Sequence, residues 1–264
     1  MNVTVATLSL NQGRFLPFAL QSVFAQNYAG VEYIVVDPGS TDNSREIIGR
    51  YVSRITHRIY EPDGGPADGL NSALAIASGD IFGWVNADDA LLPGAVDAVV
   101  RRFAADPQLD VVYGDGYVID EGGSVLRKMR STSFDARRYV FGGVTVVQQG
   151  LFIRREALIA IQGFNSDNHT CWDGEALLEL ALRGSRMNHI RKPLGLFRMH
   201  PGSISGSQRV AEQYQLDLDR MFLRVLRRPR RRSDVVLRYA IRAEKWLRDP
   251  ASALTALQSR ARRV

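Results

Sequence analysis

The sequence predicts an α/β fold: a parallel or mostly parallel sheet covered by helices on both faces, with a helical C-terminal extension. Three observations carry that reading. Apolar runs of strand length alternate with helical patterns from Val3 to Tyr113, joined by short connections. Polar and acidic residues gather in the turns after those runs, where open α/β sheets bind ligands. Past Arg220 the chain becomes basic and helical, with no further strand pattern.

Val3 to Leu8 reads as the first strand and ends in the polar turn Ser9-Leu10-Asn11-Gln12-Gly13. From Phe15 to Gln26 the residues Phe15, Leu16, Ala19, Leu20, Val23 and Phe24 fall at helical spacing. Val31 to Asp37 is a second strand closed by Pro38-Gly39-Ser40. Thr41 or Asp42 suits the cap of the next helix, with Ile47, Ile48 and Tyr51 inward. Ile55 to Tyr60 gives a third strand, Glu61 to Pro66 a loop, and Ala67 to Ala77 a helix. Asp80 to Val85 is a run of the kind buried on both faces of a sheet. Leu91-Leu92-Pro93-Gly94 opens a helix reaching Ala105, with Pro93 suited to its first turn. Val111 to Tyr113 is another strand.

After Gly114 the rhythm changes. Tyr117 to Ile119 and Val125-Leu126 flank Asp120-Glu121-Gly122-Gly123 as a hairpin. A short helix is expected over 135–141, a strand over 144–147, and helices over 157–161 and 173–183. Strands over 188–191 and 194–199 lie either side of Pro193. In the tail, Val210, Tyr214, Asp217, Met221 and Val225 share one helix face until Arg227-Arg228-Pro229 breaks it. A second helix sets Val236, Tyr239, Ala240, Ala243, Trp246 and Leu247 opposite Arg238, Arg242 and Lys245, and a third restarts at Asp249-Pro250. A basic amphipathic helix of this kind suits an anionic membrane surface. A helix that packs its apolar side on the domain and leaves its arginines in water fits the same pattern, and both readings stay open.

The charge of +6 over 264 residues divides unevenly. Residues 220–264 hold fourteen Lys/Arg against three Asp/Glu, a local balance of +11 that leaves −5 for residues 1–219. Basicity is thus a property of the tail, which argues against a nucleic-acid partner. No stretch has the length of a membrane-spanning helix, and the N-terminus lacks the pattern of a signal peptide, so the expected location is cytoplasmic. The single Cys171 excludes an internal disulfide and a thiolate zinc site, and reads as inert.

The stretch with most chemistry is Asn86-Ala87-Asp88-Asp89, three oxygen-bearing side chains in four residues directly after a buried strand. One Asp there is ordinarily a helix cap. Two adjacent Asp with an Asn exceed what a cap needs, and their hard oxygens suit Mg²⁺ or Mn²⁺ bridging to substrate phosphates. Comparable clusters follow the other strands: Thr7, Ser9 and Asn11; Asp37 with Ser40-Thr41-Asp42; and Asp63, Asp68 and Asn71.

In order and wording the chain resembles the family 2 glycosyltransferases of the GT-A fold. The matching phrases are Val36-Asp37-Pro38-Gly39-Ser40-Thr41-Asp42, Glu61-Pro62-Asp63-Gly64-Gly65, Trp84-Val85-Asn86-Ala87-Asp88-Asp89, Trp172-Asp173-Gly174-Glu175-Ala176-Leu177, and Phe197-Arg198-Met199-His200-Pro201-Gly202-Ser203. The resemblance spans Val3 to Ser207. It implies a GT-A catalytic domain over 1–206, with a nucleotide-sugar half at 1–115 and an acceptor half at 116–206. A basic helical extension over 207–264 follows.

The resemblance also implies inverting transfer of a sugar from a nucleotide-diphosphate donor to a hydroxyl of a glycan or lipid-linked acceptor. Asp88 then stands as metal ligand for Mg²⁺ or Mn²⁺, with His200 completing the site. Thr7, Ser9, Asn11, Asp37, Asp63, Asp68, Asn71, Asn86 and Asp89 fall on the donor side. Asp173 is the expected general base, against the alternative of a helix N-cap. Trp172, Glu175 and Gln149 are expected toward the acceptor, with core packing the alternative for Trp172 and orientation of the base the alternative for Glu175. Gln148 and Asp115 are further candidates.

Three departures from the family pattern bear on specificity. Asn86 replaces an acid in the metal motif. Leu10 stands where many relatives carry an aromatic, and Pro38 where some carry a second acid, both near the nucleotide base, so uracil, thymine and guanine all remain open.

Competing classes fit less well. A dinucleotide dehydrogenase needs a glycine-rich first turn, which Ser9 to Gly13 is not. A sugar nucleotidyltransferase would carry a basic Gly-rich loop there. A non-catalytic sugar-nucleotide-binding scaffold anchored by the tail is favoured by Asn86 alone and opposed by Asp88, Asp173 and His200.

Overall fold

The computed structural model describes residues 1–203 and 211–248. Strands β1 (Val3–Leu8), β2 (Val31–Val36), β3 (His57–Ile59) and β4 (Ile81–Asn86) pair in parallel in the order β3-β2-β1-β4. Alternate side chains serve two cores, as the two-residue period of a strand requires. Val3, Val5, Tyr33 and Val35 pack with Leu16, Leu20 and Val23 of α1 (Leu16–Phe24) and Ile47 and Ile48 of α2 (Ser44–Arg50). Ala6, Ile34, Val36, Phe82 and Trp84 pack with Leu70, Ala73 and Leu74 of α3 (Pro66–Ile76) on the other face.

The second half continues the same sheet through β5 (Ala90–Leu91), α4 (Ala95–Ala105), β6 (Val111–Ile119), β7 (Val125–Met129), α5 (Ala136–Val140), β8 (Leu151–Arg154), α6 (Arg155–Ala160), α7 (Trp172–Leu182) and β9 (Met187–Arg198). Its order beyond β4 is β8-β6-β9-β5, with β7 on β6. β8 runs antiparallel between β4 and β6, whereas β6 and β9 are parallel. Gly83 faces Phe152 across the β4–β8 pair, and a Cβ there would stand 2.4 Å from the Phe152 ring. Glycine is what lets the two strands close at that point.

Four expectations are corrected. The two strands anticipated at 111–113 and 117–119 are one, β6, and the hairpin is its pairing with β7. The change of rhythm after Gly114 is no break: Gly114 and Gly116 are close approaches, and a Cβ on Gly116 would lie 2.7 Å from the Gly195 carbonyl oxygen. The strands around Pro193 are likewise one, β9, with Pro193 opposite Asp115 where the register shifts. A bulge is where a strand tolerates the missing N–H. No strand forms over 144–147, because Thr145 pairs with Thr132 (2.8 Å from the Thr132 N–H to the Thr145 carbonyl), and the strand starts only at Leu151. Pro93 precedes its helix: Ala90-Leu91 stays extended against β9, and Gly94, at φ +73°, makes the turn into α4.

In the tail, α8 (Ala211–Leu226) buries Met221 and Phe222 against Val140, Phe141 and Leu178, so it belongs to the core of the domain. α9 (Asp234–Arg248) lies outside it, touching through Ile241. Val210, the side chain of Trp246 and the third helix from Asp249 lie outside the described residues. No described helix is long and apolar enough to cross a membrane.

Candidate active site at the carboxyl ends of β1 and β4

Because β2 and β3 lie on one side of β1 and β4 on the other, the chain reverses its sheet order at β1. A crevice opens at the carboxyl ends of the strands flanking such a reversal. A cleft of about 540 Å³ lies there, lined by Ser9, Pro38, Asp63, Asn86, Asp88 and Asp173 among others. That volume matches small-ligand sites.

Asp88 and His200, from the turns after β4 and β9, meet at 3.1 Å between Oδ2 and Nε2. Phe15 holds the imidazole from the other side, ring centroids 4.8 Å apart. The pair offers one carboxylate and one imidazole, and among the described residues no further His, Cys, Asp or Glu joins them in a metal-holding cluster. Such a donor set fits a cation like Mn²⁺, which takes its remaining ligands from phosphate and water.

Asp89, though adjacent, points inward and is fully buried. Its carboxylate accepts from Gln149 Nε2 (2.8 Å), Asn86 Nδ2 (3.3 Å) and the Arg198 N–H (2.9 Å). Burial first, and the neighbouring Asp88 charge second, push its pKa well above the ordinary carboxylate range. Asp89 therefore fixes the turn that presents Asp88. Close packing makes this possible: a Cβ on Gly195 would stand 2.7 Å from the Gln149 carbonyl oxygen. Arg198 completes the arrangement. Its guanidinium donates to the carbonyls of Asp88 (2.8 Å), Asp120 (3.0 Å) and Glu121 (3.0 Å), and lies against Phe15 and Phe18. Sequence reasoning passed over Arg198, although a buried-strand end reading Phe-Arg-Met-His was the available signal.

On the donor side, Ser9 and Asp63 line the cleft and Asp37 lies between two lining residues, Val36 and Pro38. Asp37 is fully buried. One carboxylate oxygen accepts from the Ser40 N–H (2.8 Å) and Arg45 Nε (3.2 Å), while Oδ2 has no partner among the described residues. Ser9 Oγ and Trp172 Nε1 are also buried without partners among the described residues. An unpaired buried polar atom costs roughly 1–3 kcal/mol, a cost that a bound ligand offering partners removes. Burial, then the charge of Asp68, raises the Asp63 pKa, against a bond from the Gly65 N–H.

The remaining donor-side candidates hold the walls. Thr7 Oγ1 bonds the Tyr33 hydroxyl at 2.8 Å inside the core. Asn11, at φ +54°, accepts from the Thr41 N–H at 2.8 Å and so ties the first turn to the second. Asp68 accepts from the Gly64 N–H (3.0 Å) and from Ser166. Asn71 clamps Phe164 through both its N–H and its carbonyl, each at 2.8 Å. Asp115, outside the cleft lining, bonds His189 at 2.8 Å and the Ser131 N–H at 3.0 Å.

Asp173 lines the cleft in the first turn of α7. The N-cap is Cys171, so the cap alternative for Asp173 does not hold. Burial raises the Asp173 pKa above the ordinary carboxylate range, while its bond from the Gly174 N–H works the other way. A carboxylate so tuned is a better proton acceptor near neutrality. Trp172 packs in the core and also lines the cleft. Glu175 does not line the cleft. It accepts from Arg220 Nη2 (2.8 Å), Asn168 Nδ2 (2.6 Å) and Asn165 Nδ2 (3.1 Å). Burial raises its pKa, but these bonds outweigh it and hold the carboxyl below its usual range. Gln148, which does line the cleft, donates to the Trp84 carbonyl at 2.9 Å. Burial pushes the Cys171 thiol up to about 12, consistent with an inert role.

Residues 4–161 match the family model described as Glycosyl transferase family 2. An uncharacterised glycosyltransferase of Nostoc sp. is 24% identical over 81% of this chain and 70% of its own length. The O-antigen biosynthesis protein RfbC of Myxococcus xanthus is 30% identical over 75% of this chain, which spans only 16% of that protein. Among solved structures, S. aureus TarS in complex with UDP-GlcNAc superposes with a TM-score of 0.68 at 18% identity, covering 84% of this chain and 67% of TarS. The mannosyltransferase PcManGT of Pyrobaculum calidifontis, in complex with GDP-Man and Mn²⁺, gives 0.61 at 19% identity over 98% of this chain and 75% of its own.

Proposed function

The chain belongs to glycosyl transferase family 2 and is a glycosyltransferase of the GT-A fold; on that premise we propose that it transfers a sugar, with inversion, from a nucleotide-diphosphate sugar to a hydroxyl of a glycan or lipid-linked saccharide. The observation that carries the proposal is one cleft lined both by Asp88, which His200 contacts from behind the lining, and by Asp173. The nucleotide sugars bound by TarS and PcManGT support the donor class, and the naming of RfbC for O-antigen biosynthesis supports a saccharide acceptor.

In this reading Asp173 accepts the acceptor's hydroxyl proton as that oxygen attacks the anomeric carbon. The bond from that carbon to the diphosphate breaks, and its electron pair leaves with the nucleoside diphosphate. A divalent cation held by Asp88 and His200 would neutralise charge on the leaving diphosphate. Ser9, Asp37, Asp63 and Asn86 receive the donor, and Thr7, Asn11, Asp68 and Asn71 hold the turns that carry them. Asp89 and Gln149 keep the metal turn in register, Trp172 borders the acceptor, and Glu175 fixes α7.

Binding and slow hydrolysis of UDP-, dTDP- and GDP-sugars, with and without Mn²⁺, test this in wild type and Asp88→Ala. The expected result is metal-dependent binding of one donor, lost in the variant. Absence of binding by every donor under both conditions refutes it.

A further inference from the structure

Helix α9 is turned inside out for a surface helix. The edge that faces the domain carries Glu244, which pairs with Arg138 at 3.0 Å, and Ile241, which lies so close to Gly143 that a Cβ there would meet it at 2.2 Å. Opposite, Val236, Tyr239 and Leu247 are 74%, 68% and 81% exposed, with Val235 and Ala243 also in solvent. These residues recur at three- and four-residue steps along one side, so they form one stripe down a helix roughly 22 Å long. The sequence had left open whether the apolar side packs on the domain; its described members Val236, Tyr239, Ala240, Ala243 and Leu247 lie in solvent.

We propose that this stripe is the docking surface for an anionic phospholipid membrane. Contiguous exposed apolar surface of this extent marks an interaction site. Charge selects the occupant. The stripe follows the exposed Arg231 and Arg232 and is bordered by the exposed Arg238. The C-terminal segment from residue 220 carries +11 and the rest of the chain −5. A second copy seated on the stripe would bring two such basic segments together. Residues 249–264, with Arg260, Arg262 and Arg263, would add positive charge to positive. An anionic lipid surface alone complements both features: the apolar side chains enter the headgroup boundary and the arginines meet phosphate. The acidic body is then repelled, which orients the protein with α9 down. Since α8 packs on α5 and α7, the helix carrying Asp173 lies on the membrane-proximal side of the domain. This goes beyond the proposed chemistry, which does not depend on it.

The test is co-sedimentation of the full chain with phosphatidylglycerol/phosphatidylcholine vesicles and with phosphatidylcholine vesicles alone. Wild type should bind the anionic vesicles only, with affinity falling as salt rises. Val236→Asp with Leu247→Asp should lower that affinity about tenfold or more. Arg231→Glu with Arg232→Glu should lower it by on the order of fivefold per arginine. Donor hydrolysis by all variants should equal wild type, confirming that they fold. Equal binding to both vesicle types, no binding to either, or unchanged binding by the Val236/Leu247 variant overturns the proposal. So does a vesicle-free dimer that the same variant converts to monomer.

Discussion

The Asp88 carboxylate and the His200 imidazole, 112 positions apart in sequence, face each other at 3.1 Å. The contact depends on β9 running alongside β6 and pairing with β5, which returns His200 to the turn after β4. As the proposed holders of a divalent cation, the two would leave coordination positions for the donor's phosphates. Asp88→Ala should therefore lower kcat/KM by roughly 10²–10³-fold, and His200→Ala by about tenfold or more. Titration of Mn²⁺ against activity checks this, because both variants should shift the metal requirement upward. An unchanged Mn²⁺ dependence in both would remove the pair from the metal site.

How much of this arrangement could be read from sequence depends on whether a residue's role is local. Asp88 could be nominated locally, as a carboxylate in the turn after a buried apolar strand, whereas Asp173, preceded by the polar stretch Asn165 to Thr170, could be nominated only through the resemblance of its phrase to the family. Asp89 was expected beside Asp88 on the donor side, and only tertiary packing shows it buried against Gln149 and the Arg198 backbone. Glu175 looked like part of the Trp-Asp-Gly-Glu site phrase. It faces away because Arg220, on a helix outside that phrase, supplies its partner. Strand–helix alternation gave the parallel half correctly. It failed at β6 and β9, where the pattern changes at Gly114 and Pro193, which serve close approach and a bulge.

Asp173 gives a pH prediction with a definite sign. Its pKa in the fold lies above the ordinary carboxylate value, because burial disfavours the ion. As the proposed base Asp173 acts when ionised, so kcat should fall as pH drops through that raised value, above the range of a free carboxylate. For stability, the folded state holds the proton more tightly than the unfolded one. Asp173 thus destabilises progressively as pH rises from the ordinary value through the raised one. Asp173→Asn should cost about 10²–10⁴-fold in kcat while leaving Tm at pH 7 equal to or above wild type. A Tm well below wild type would mark Asp173 as structural.

Arg198 predicts a loss that its charge alone does not account for. The guanidinium serves three carbonyls from two turns, a fork that a lysine ammonium cannot reproduce. Arg198→Lys keeps the charge but leaves at least one carbonyl unserved, at a cost of about 2 kcal/mol, or roughly 4–8 °C in Tm. Loosening the Asp88 carbonyl should also weaken Mn²⁺ activation, about tenfold. Thermal melts and Mn²⁺ titration of this variant test the two effects separately.

Two ion pairs fasten α8 to α7, and their settings predict unequal value. Arg220 Nη2 meets Glu175 at 2.8 Å, and the Glu175 side chain is only 12% exposed. Arg224 Nε meets Glu179 at 2.7 Å, with side chains 45% and 28% exposed. In water the second pair is screened and contributes at most about 1 kcal/mol. Removing Arg220 instead strands a mostly buried carboxylate and also the Asp217 side chain it pairs with at 3.1 Å, for about 2–3 kcal/mol. Arg220→Ala should thus speed hydrogen exchange in α8 and the first turn of α7 markedly, and Arg224→Ala hardly at all. Since Asp173 sits in that first turn, Arg220→Ala should lower kcat more than it raises KM for the donor. Equal effects of the two substitutions on exchange and on kcat would show that the apolar contacts of Met221 and Phe222, not the buried carboxylate, set the position of α7.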